Sequence, residues 1–342
     1  MRNRLLKSHK MAVTIKQIAV QEGVSTTTVF RALHNRERIN PDTRRRILKR
    51  AGELTYRTNP IAKSLRLKKS FLVGVLMPDI TSSFFPETLQ GIEYILDEAG
   101  YSVLLRSVYD KDRLQENIEI LMDRHIDGLI ICHAHFSLND YRQLRERCSS
   151  VIFLSFKIEG LAGPYVCVDH CLGAYLATRH LIERGHRQIY YGYIWLPFIM
   201  ARNRLDGYKK ALAESGLPFR EDLVIPDSLD ATMRKVLTEA EKPVAIFAGA
   251  DTTAAKIISL AYDLGLNPFR DLAIVGFDDI ALASIVRPTL TTIAQPRKEM
   301  GFIAGRALIS LMQGQEVENV VLQPKLVVRE STQAGQLTTR EV

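Results

Sequence analysis

The sequence predicts a small all-α helix-turn-helix head joined to a larger α/β body made of two doubly wound parallel-sheet subdomains. Three observations carry that expectation. Charge is uneven: residues 1–70 hold eighteen Lys or Arg and four Asp or Glu, a net of +14, while the other 272 residues hold 28 basic and 34 acidic groups, a net of −6. Met11 to Leu33 spaces its apolar residues as two short helices around Gly23. From Phe71 onward, short apolar runs alternate with amphipathic segments. The 342 residues exceed one minimal core, and 46% hydrophobic with 25% charged residues is an ordinary globular balance.

The head reads as three helices. Thr14 caps the first, with Gln17 at capping-box spacing, and Ile15, Ile18 and Ala19 form its apolar stripe. Gly23 permits a positive-φ turn, and Ser25 starts a second helix through "TTTVFRAL". Its β-branched first turn is poor helix material, which raises the question of what that face is for. Val29, Ala32 and Leu33 point inward, while Thr27, Phe30, Arg31 and His34 share the outer face and Thr26 sits at the exposed N-terminal end. Short hydroxyl groups let a helix approach base edges, and Arg bonds guanine bidentately. A third helix is capped by Asn40, with Pro41 in its first turn; Ile47, Leu48, Ala51 and Leu54 form its buried side, and Arg44, Arg45, Arg46, Lys49 and Arg50 its outer, phosphate-facing side. "NPIAKSLRLKKS" starts a helix of about two turns, too short to be stable unless docked. A basic head on a mildly acidic body points to a polyanion-binding module; the plainer alternative is a solvated charged surface.

In the body, "FLVGVLMP", "YSVLLRS", "DGLIICH", "SVIFLSF", "QIYYGYI", "VAIFAG" and "LAIVGFD" read as buried strands, with helices at Phe85–Ala99 and Gly173–Arg184 between them. Ligands of such folds sit beyond the carboxyl ends of the strands. No phosphate loop, nucleophile elbow or H-E-x-x-H motif occurs. Neither enzyme activity nor a cofactor is therefore expected. "CHAH" at Cys132–His135 is a weak metal candidate without a second ligand cluster, so no metal site is assigned. Trp195 lies in an apolar loop that reads equally as a ligand lid or packed core. The four cysteines form no C-x-x-C pair, which fits a reduced, cytoplasmic setting. The basic N-terminus lacks an apolar signal segment, and no run is long enough to span a membrane.

"VTIKQIAVQEGVSTTTVFRALHN" followed by "INPDTRRRILKRAGELTYRTNPIAKSLR" resembles, without a gap from Val13 to Arg66, the headpiece and hinge of the lactose-repressor/galactose-repressor family of bacterial transcription regulators. "GVLMPDITSSFFPETLQGIEYILDEAGYSVLL", "VDHCLGAYLATRHLIERGHRQI", "ARNRLDGYKKAL" and "AIVGFDDIALASIVRPTLTTIAQP" extend the resemblance to about Glu330. It implies a body like the periplasmic sugar-binding proteins, with an effector between two subdomains joined by three crossings near Asp169, Thr291–Gln295 and Gln323. It implies a basic extension over 1–12, a DNA-binding domain over 13–58, a hinge helix and linker over 59–70, and an effector-binding and dimerisation domain over 71–342. The last divides into an N-subdomain of about 71–168 and 295–323 and a C-subdomain of about 169–294 and 324–342. Met11 stands where the family's initiator falls, so 1–10 is either an added arm or an unused upstream start.

Residue by residue, the resemblance gives Thr26 and Thr27 as specificity positions, Ser25, Thr28 and Asn40 as phosphate or cap positions, and Arg31 as a base contact. Tyr56 and Asn59 match backbone contacts, and Leu65, beside Ala62, matches the hinge leucine that wedges into the minor groove. The plain reading of Leu65 is an interdomain contact. Phe30 departs, standing where serine is usual. In the body, Phe84, Phe85, Asp169, Arg204, Asp251 and Asp278 match effector-pocket positions; Ser155 and Ala250 depart from the acid and the asparagine common there. The implied protein is a cytoplasmic, nucleoid-associated homodimer that binds a roughly palindromic double-stranded operator and represses a metabolic operon under a small-molecule effector, most often a sugar. Rival readings are a sugar-processing or small-molecule-binding α/β protein with an incidental basic head, and an activator on the same fold.

Overall fold

The structure is a computed structural model that describes residues 13–33, 39–56, 64, 67–108, 110–132, 138–157, 160, 163–193, 198–226 and 229–333. The chain divides into two compact units, one ending at Ser70 and one beginning at Phe71. The expected hinge residues Asn59, Ala62 and Leu65, the outer-face His34, the loop carrying Trp195, and His133 and His135 of "CHAH" lie outside the described residues.

The first unit holds α1 (Ile15–Glu22), α2 (Thr26–Leu33) and α3 (Pro41–Glu53). Thr14 and Gln17 form the reciprocal capping box. Gly23 ends α1 at φ 63°, a conformation that favours glycine. Ser25 Oγ accepts from the Thr28 amide at 3.1 Å, and Asn40 Oδ1 from the Asp42 amide at 2.9 Å, so a side chain caps at least one orphan amide at each helix start. Ile18, Ala19, Val29, Ala32, Ile47 and Ala51 form the core. Two expectations for α3 are corrected. Leu48, read as buried, is 41% exposed, because the 3.6-residue period turns it off the stripe that Ile47 and Ala51 define. Arg46 and Arg50, read as phosphate-facing, instead pair with Glu22 at 3.1 Å each, tying α3 to the end of α1. Those contacts hold the Glu22 carboxyl below its usual range, chiefly through Arg50.

The second unit runs β1 (Leu72–Met77), α4 (Phe85–Glu98), β2 (Ser102–Ser107), α5 (Leu114–Asp123), β3 (Gly128–Ile131), α6 (Leu138–Arg147), β4 (Val151–Leu154) and β5 (Tyr165–Val168). It continues with α7 (His170–Glu183), β6 (Ile189–Tyr193), α8 (Phe198–Glu214), β7 (Val224–Pro226), α9 (Leu229–Glu239), β8 (Val244–Ala248), α10 (Asp251–Asp263), α11 (Pro268–Asp271), β9 (Leu272–Asp278), α12 (Leu282–Ile285) and β10 (Thr291–Ala294). It closes with α13 (Arg297–Met312), β11 (Val320–Leu322) and β12 (Lys325–Val327). One six-stranded sheet has the order β11-β5-β4-β3-β1-β2 and the other β12-β10-β9-β8-β6-β7. All pairs are parallel except β10 with β12. Both sheets thus repeat one winding, with central strands buried on both faces between helices.

The chain passes from the first sheet to the second between β5 and α7, returns between β10 and α13, and passes again between β11 and β12. Five strands had no counterpart in the sequence reading: β5, β7, β10, β11 and β12. They are three or four residues long; β3 and β4 are as short but sit inside longer apolar runs, whereas these five lie in runs too brief or too polar to register.

α13 is bound to the first sheet, with Met300, Ala304 and Leu308 in one core with Val73, Ile92 and Ile152. Its contact with α4 is made by glycines. A Cβ on Gly301 would lie 2.1 Å from the Thr88 carbonyl oxygen, and one on Gly91 2.3 Å from that of Lys298. Only hydrogen fits at either position.

Candidate functional site

On the head, the outer face of α2 presents Thr26, Thr27 and Arg31 to solvent, with Ser25 exposed just before it. Thr28 is half-buried, its hydroxyl 2.8 Å from Ser25 Oγ. Phe30 is half-buried rather than fully outward. Arg31 makes no ion pair among the described residues, unlike Arg45, Arg46 and Arg50. Asn40 is exposed and Tyr56 half-buried. The face therefore offers hydroxyls and one uncommitted guanidinium at the start of a helix, the set needed to approach base edges.

In the body, the C-terminal ends of strands from both sheets converge on one cleft. Arg204, on α8, is 2% exposed. It donates through Nη1 to the Gly249 carbonyl, its Nη2 lies 3.3 Å from His170 Nδ1 and 3.8 Å from Asp278 Oδ1, and its guanidinium carbon stands 3.6 Å from the Phe277 ring centre. Arginine can only donate, so His170 Nδ1 accepts. That leaves Nε2 to carry the proton and donate to the Ser155 carbonyl at 3.4 Å. Burial and the Arg204 charge push His170 down to about 3, so the ring is neutral.

Asp278 ends β9 at φ 120°, a backbone region costly for a residue with a Cβ and concentrated at functional sites. Its Oδ1 accepts from Gln295 Nε2 at 2.6 Å. Burial pushes its carboxyl up to about 6 against the pull of Arg204. Ser155, at the end of β4, also has positive φ, 75°. Asp169 caps α7 through Oδ1, 2.8 Å from the Leu172 amide, and lines a cavity of about 270 Å³ together with Ser155, Lys157, His170, Met200 and Asn203.

Arg297 bridges the two halves. It donates to the Asp278 and Asp279 carbonyls and pairs with Glu87 of α4 at 2.8 Å. Phe84 and Phe85, immediately before Glu87, meet edge to face with ring centres 5.2 Å apart. Asp251 is placed differently from Arg204, Asp169 and Asp278. It is fully buried, with Oδ2 accepting from the Ile280 amide at 2.8 Å and Oδ1 from the Thr292 hydroxyl.

Residues 14–59 match the family described as bacterial regulatory proteins, lacI family, and residues 178–332 match the periplasmic binding protein-like domain. Catabolite control protein A of Priestia megaterium is 34% identical over 94% of this chain and all of its own length. The transcriptional repressor CytR of Escherichia coli is 32% identical over 96% of this chain and 98% of its own. This chain belongs to the lacI family. It is a DNA-binding transcriptional regulator, as these relatives are, and not an enzyme. Among solved structures, the lac repressor dimer bound to operator and the anti-inducer ONPF superposes with a TM-score of 0.84 at 26% identity, covering 94% of this chain and 99% of that one. A lacI-family regulator from Enterococcus faecium with bound ribose gives 0.68 at 29% identity, covering 76% and 98%.

In this regulator the structure brings in residues that sequence reasoning did not single out: His170, Gln295 and Arg297 around Arg204 and Asp278, and Lys157 and Asn203 on the wall of the cavity beside Asp169 and His170. His170 and Arg297 carry no motif signal, because each matters through a partner on another element. Their only trace in the sequence is adjacency to a strand end. Among the described residues, no three His, Cys, Asp or Glu come together as a metal site, and no helix is long and apolar enough to cross a membrane. Cys132 is buried, which pushes its thiol above the usual range.

The burial of Asp251 has a measurable consequence. Desolvation, then the charge of Asp278, pushes its carboxyl up to about 8 from 3.8. A carboxyl raised by folding stabilises the fold fully below its unfolded value and progressively less as pH rises to the folded one. Asp251→Asn should therefore flatten the fall in stability between pH 4 and 8, read as denaturation midpoints across that window. Equal slopes in the two proteins would mean that Asp251 ionises as freely folded as unfolded.

Proposed function

We propose that the chain is a dimeric, effector-controlled repressor of a metabolic operon, working in the bacterial cytoplasm. The head, over 13–58, reads a roughly palindromic operator. Thr26, Thr27, Phe30 and Arg31 meet base edges, while Ser25, Thr28, Asn40, Tyr56 and Asn59 position the backbone. Ala62 and Leu65 of the 59–70 hinge enter the minor groove. The effector, a small carbohydrate, lies between the body subdomains among Phe84, Phe85, Asp169, Arg204 and Asp278, with Asp251 holding Thr292 and the Ile280 amide in place behind them. The reading rests above all on the cleft. Strand ends of both sheets supply it, Arg297 spans it, and Asp278 and Ser155 hold costly backbone conformations within it. An effector preferring one angle between the subdomains shifts the protein toward the state it prefers, in proportion to its differential affinity.

The test has two parts. Fluorescence anisotropy at ~150 mM salt should show a selected palindrome bound at least about a thousandfold more tightly than random DNA, with log K falling linearly in log salt. An effector found by thermal-shift screening of a metabolite library should change that affinity in the wild type, and Asp278→Ala should lose the response while keeping operator binding. Absence of any operator preference would remove the reading of the head. An undiminished response in Asp278→Ala would remove the reading of the cleft.

A further inference from the structure

We infer that Arg297 is a clasp fixing the angle between the two lobes of the body, one lobe per sheet, and that Glu87 is the residue that positions it. Its bearing on control rests on the cleft being the effector site. Arg297 belongs to the first-sheet lobe. It opens α13, and Met300, Ala304 and Leu308 of that helix share a core with Val73, Ile92 and Ile152. Its side chain is 5% exposed. A cation buried at a helix N-terminus is unfavourable twice over, once against the helix dipole and once through lost hydration. The contacts that offset this cost define its role.

Those contacts divide between the lobes. In its own lobe, Glu87 of α4 holds the guanidinium at 2.8 Å. Because α4 is pressed against α13 at Gly91 and Gly301, carboxylate and guanidinium move together. In the other lobe, Arg297 donates to the carbonyls of Asp278 and Asp279, the latter at 3.0 Å. These two residues, at φ 120° and 54°, form a costly turn at the end of β9. Arg329, just after β12, anchors that turn through Asp279 Oδ1 at 2.7 Å, so a pull on its carbonyls is a pull on the second lobe.

Compact units joined by single crossings move relative to one another unless a large apolar interface or a directional contact prevents it. Across the cleft, Ile199 and Met200 of α8 pack against the first-lobe core that holds Leu76 and Phe153. Apolar contact has no preferred direction and tolerates sliding. The His170 ring meets the Ser155 carbonyl at a long 3.4 Å. Arg297, by contrast, sets direction through charge-assisted bonds on both sides. Asp278 lends its carbonyl to the clasp and its carboxyl to the cleft. A ligand engaging that carboxyl therefore acts on a residue that fixes the lobe angle.

The experiment is double electron–electron resonance on the full-length protein without effector or DNA. Spin labels are carried on p-azidophenylalanine at exposed Arg124 of the first lobe and exposed Ser215 of the second. Excess unlabelled protein ensures that only distances within one chain are read. The wild type should give one narrow distance, and Arg297→Met should widen it about twofold or move it by about 3 Å or more. Glu87→Gln, at a side chain 54% exposed, keeps the fold and should act in the same direction, while adding nothing to Arg297→Met. A control pair within the first lobe, at exposed Arg124 and Arg142, should not change in any of these proteins. Unchanged distances between the lobes, or equal widening in the control pair, would overturn the clasp. No effect of Glu87→Gln, or an effect that adds to that of Arg297→Met, would overturn the positioning role of Glu87. Failure here leaves the effector-controlled reading of the cleft standing, since no effector is used. An effector response that survives in Asp278→Ala would instead strike that reading and leave the clasp.

Discussion

Arg204→Ala should cost the body about 3–5 kcal/mol and abolish any effector response, because it removes one partner of a buried charged cluster rather than a surface cation. The guanidinium answers the Gly249 carbonyl at the end of β8, the neutral His170 ring at the start of α7 and the Asp278 carboxylate at the end of β9, and it covers the Phe277 ring. Truncation leaves the Asp278 carboxyl, among the described residues, with the Gln295 amide and the charge of Arg297, frees the His170 acceptor and opens a void over Phe277. Arg204→Lys should not restore the protein, since one ammonium cannot reproduce a planar fork stacked on an aromatic ring. Urea denaturation followed by far-ultraviolet circular dichroism checks the first part, and operator anisotropy with and without effector checks the second. A loss below about 1 kcal/mol would mean that water or a neighbouring side chain takes over these bonds.

Gly301→Ala should be nearly as damaging, at about 3 kcal/mol or more, although it adds a single methyl group to a helix and improves intrinsic propensity. The added carbon would sit 2.1 Å from a carbonyl oxygen of α4, a backbone atom that moves only if the helices part. Separation of α4 from α13 would also stretch the bridge from Glu87 through Arg297 to the Asp278 and Asp279 carbonyls. Effector affinity should therefore fall along with stability. Equilibrium unfolding of the variant reads the first effect. A Gly301→Ala protein as stable as the wild type would show that the two helices slide apart at little cost.

The head was legible almost residue by residue, because its information is local. A capping box spans four residues, a Gly turn one, and an apolar stripe two helical turns, so Thr14, Gly23, Ser25 and Asn40 could be assigned before any tertiary contact was known. What local reading misplaced there were the α3 arginines. Arg46 and Arg50 look like a phosphate-facing row until Glu22, 24 and 28 residues earlier, is folded against them. Phe30 sat on the outer side of a helical wheel, yet it is half-buried. A wheel assigns direction and ignores side-chain length.

In the body, the long apolar runs identified seven strands and the doubly wound class, since hydrophobic strands alternating with amphipathic helices have few other ways to bury both faces. The strands β5, β7, β10, β11 and β12 stayed hidden, as did the glycine contact between α4 and α13. Sequence alone determined that this is a basic three-helix head on a two-sheet α/β body, with Phe84, Phe85, Asp169, Arg204, Asp251 and Asp278 as candidate contacts. Tertiary structure decided that Asp251 is buried and occupied and that His170 is a neutral link between Arg204 and Ser155. The physical reason is range. Helix caps and apolar periods are encoded within a few residues, whereas these hydrogen bonds depend on partners that the chain brings together from β4, β9, α7, α8 and α13.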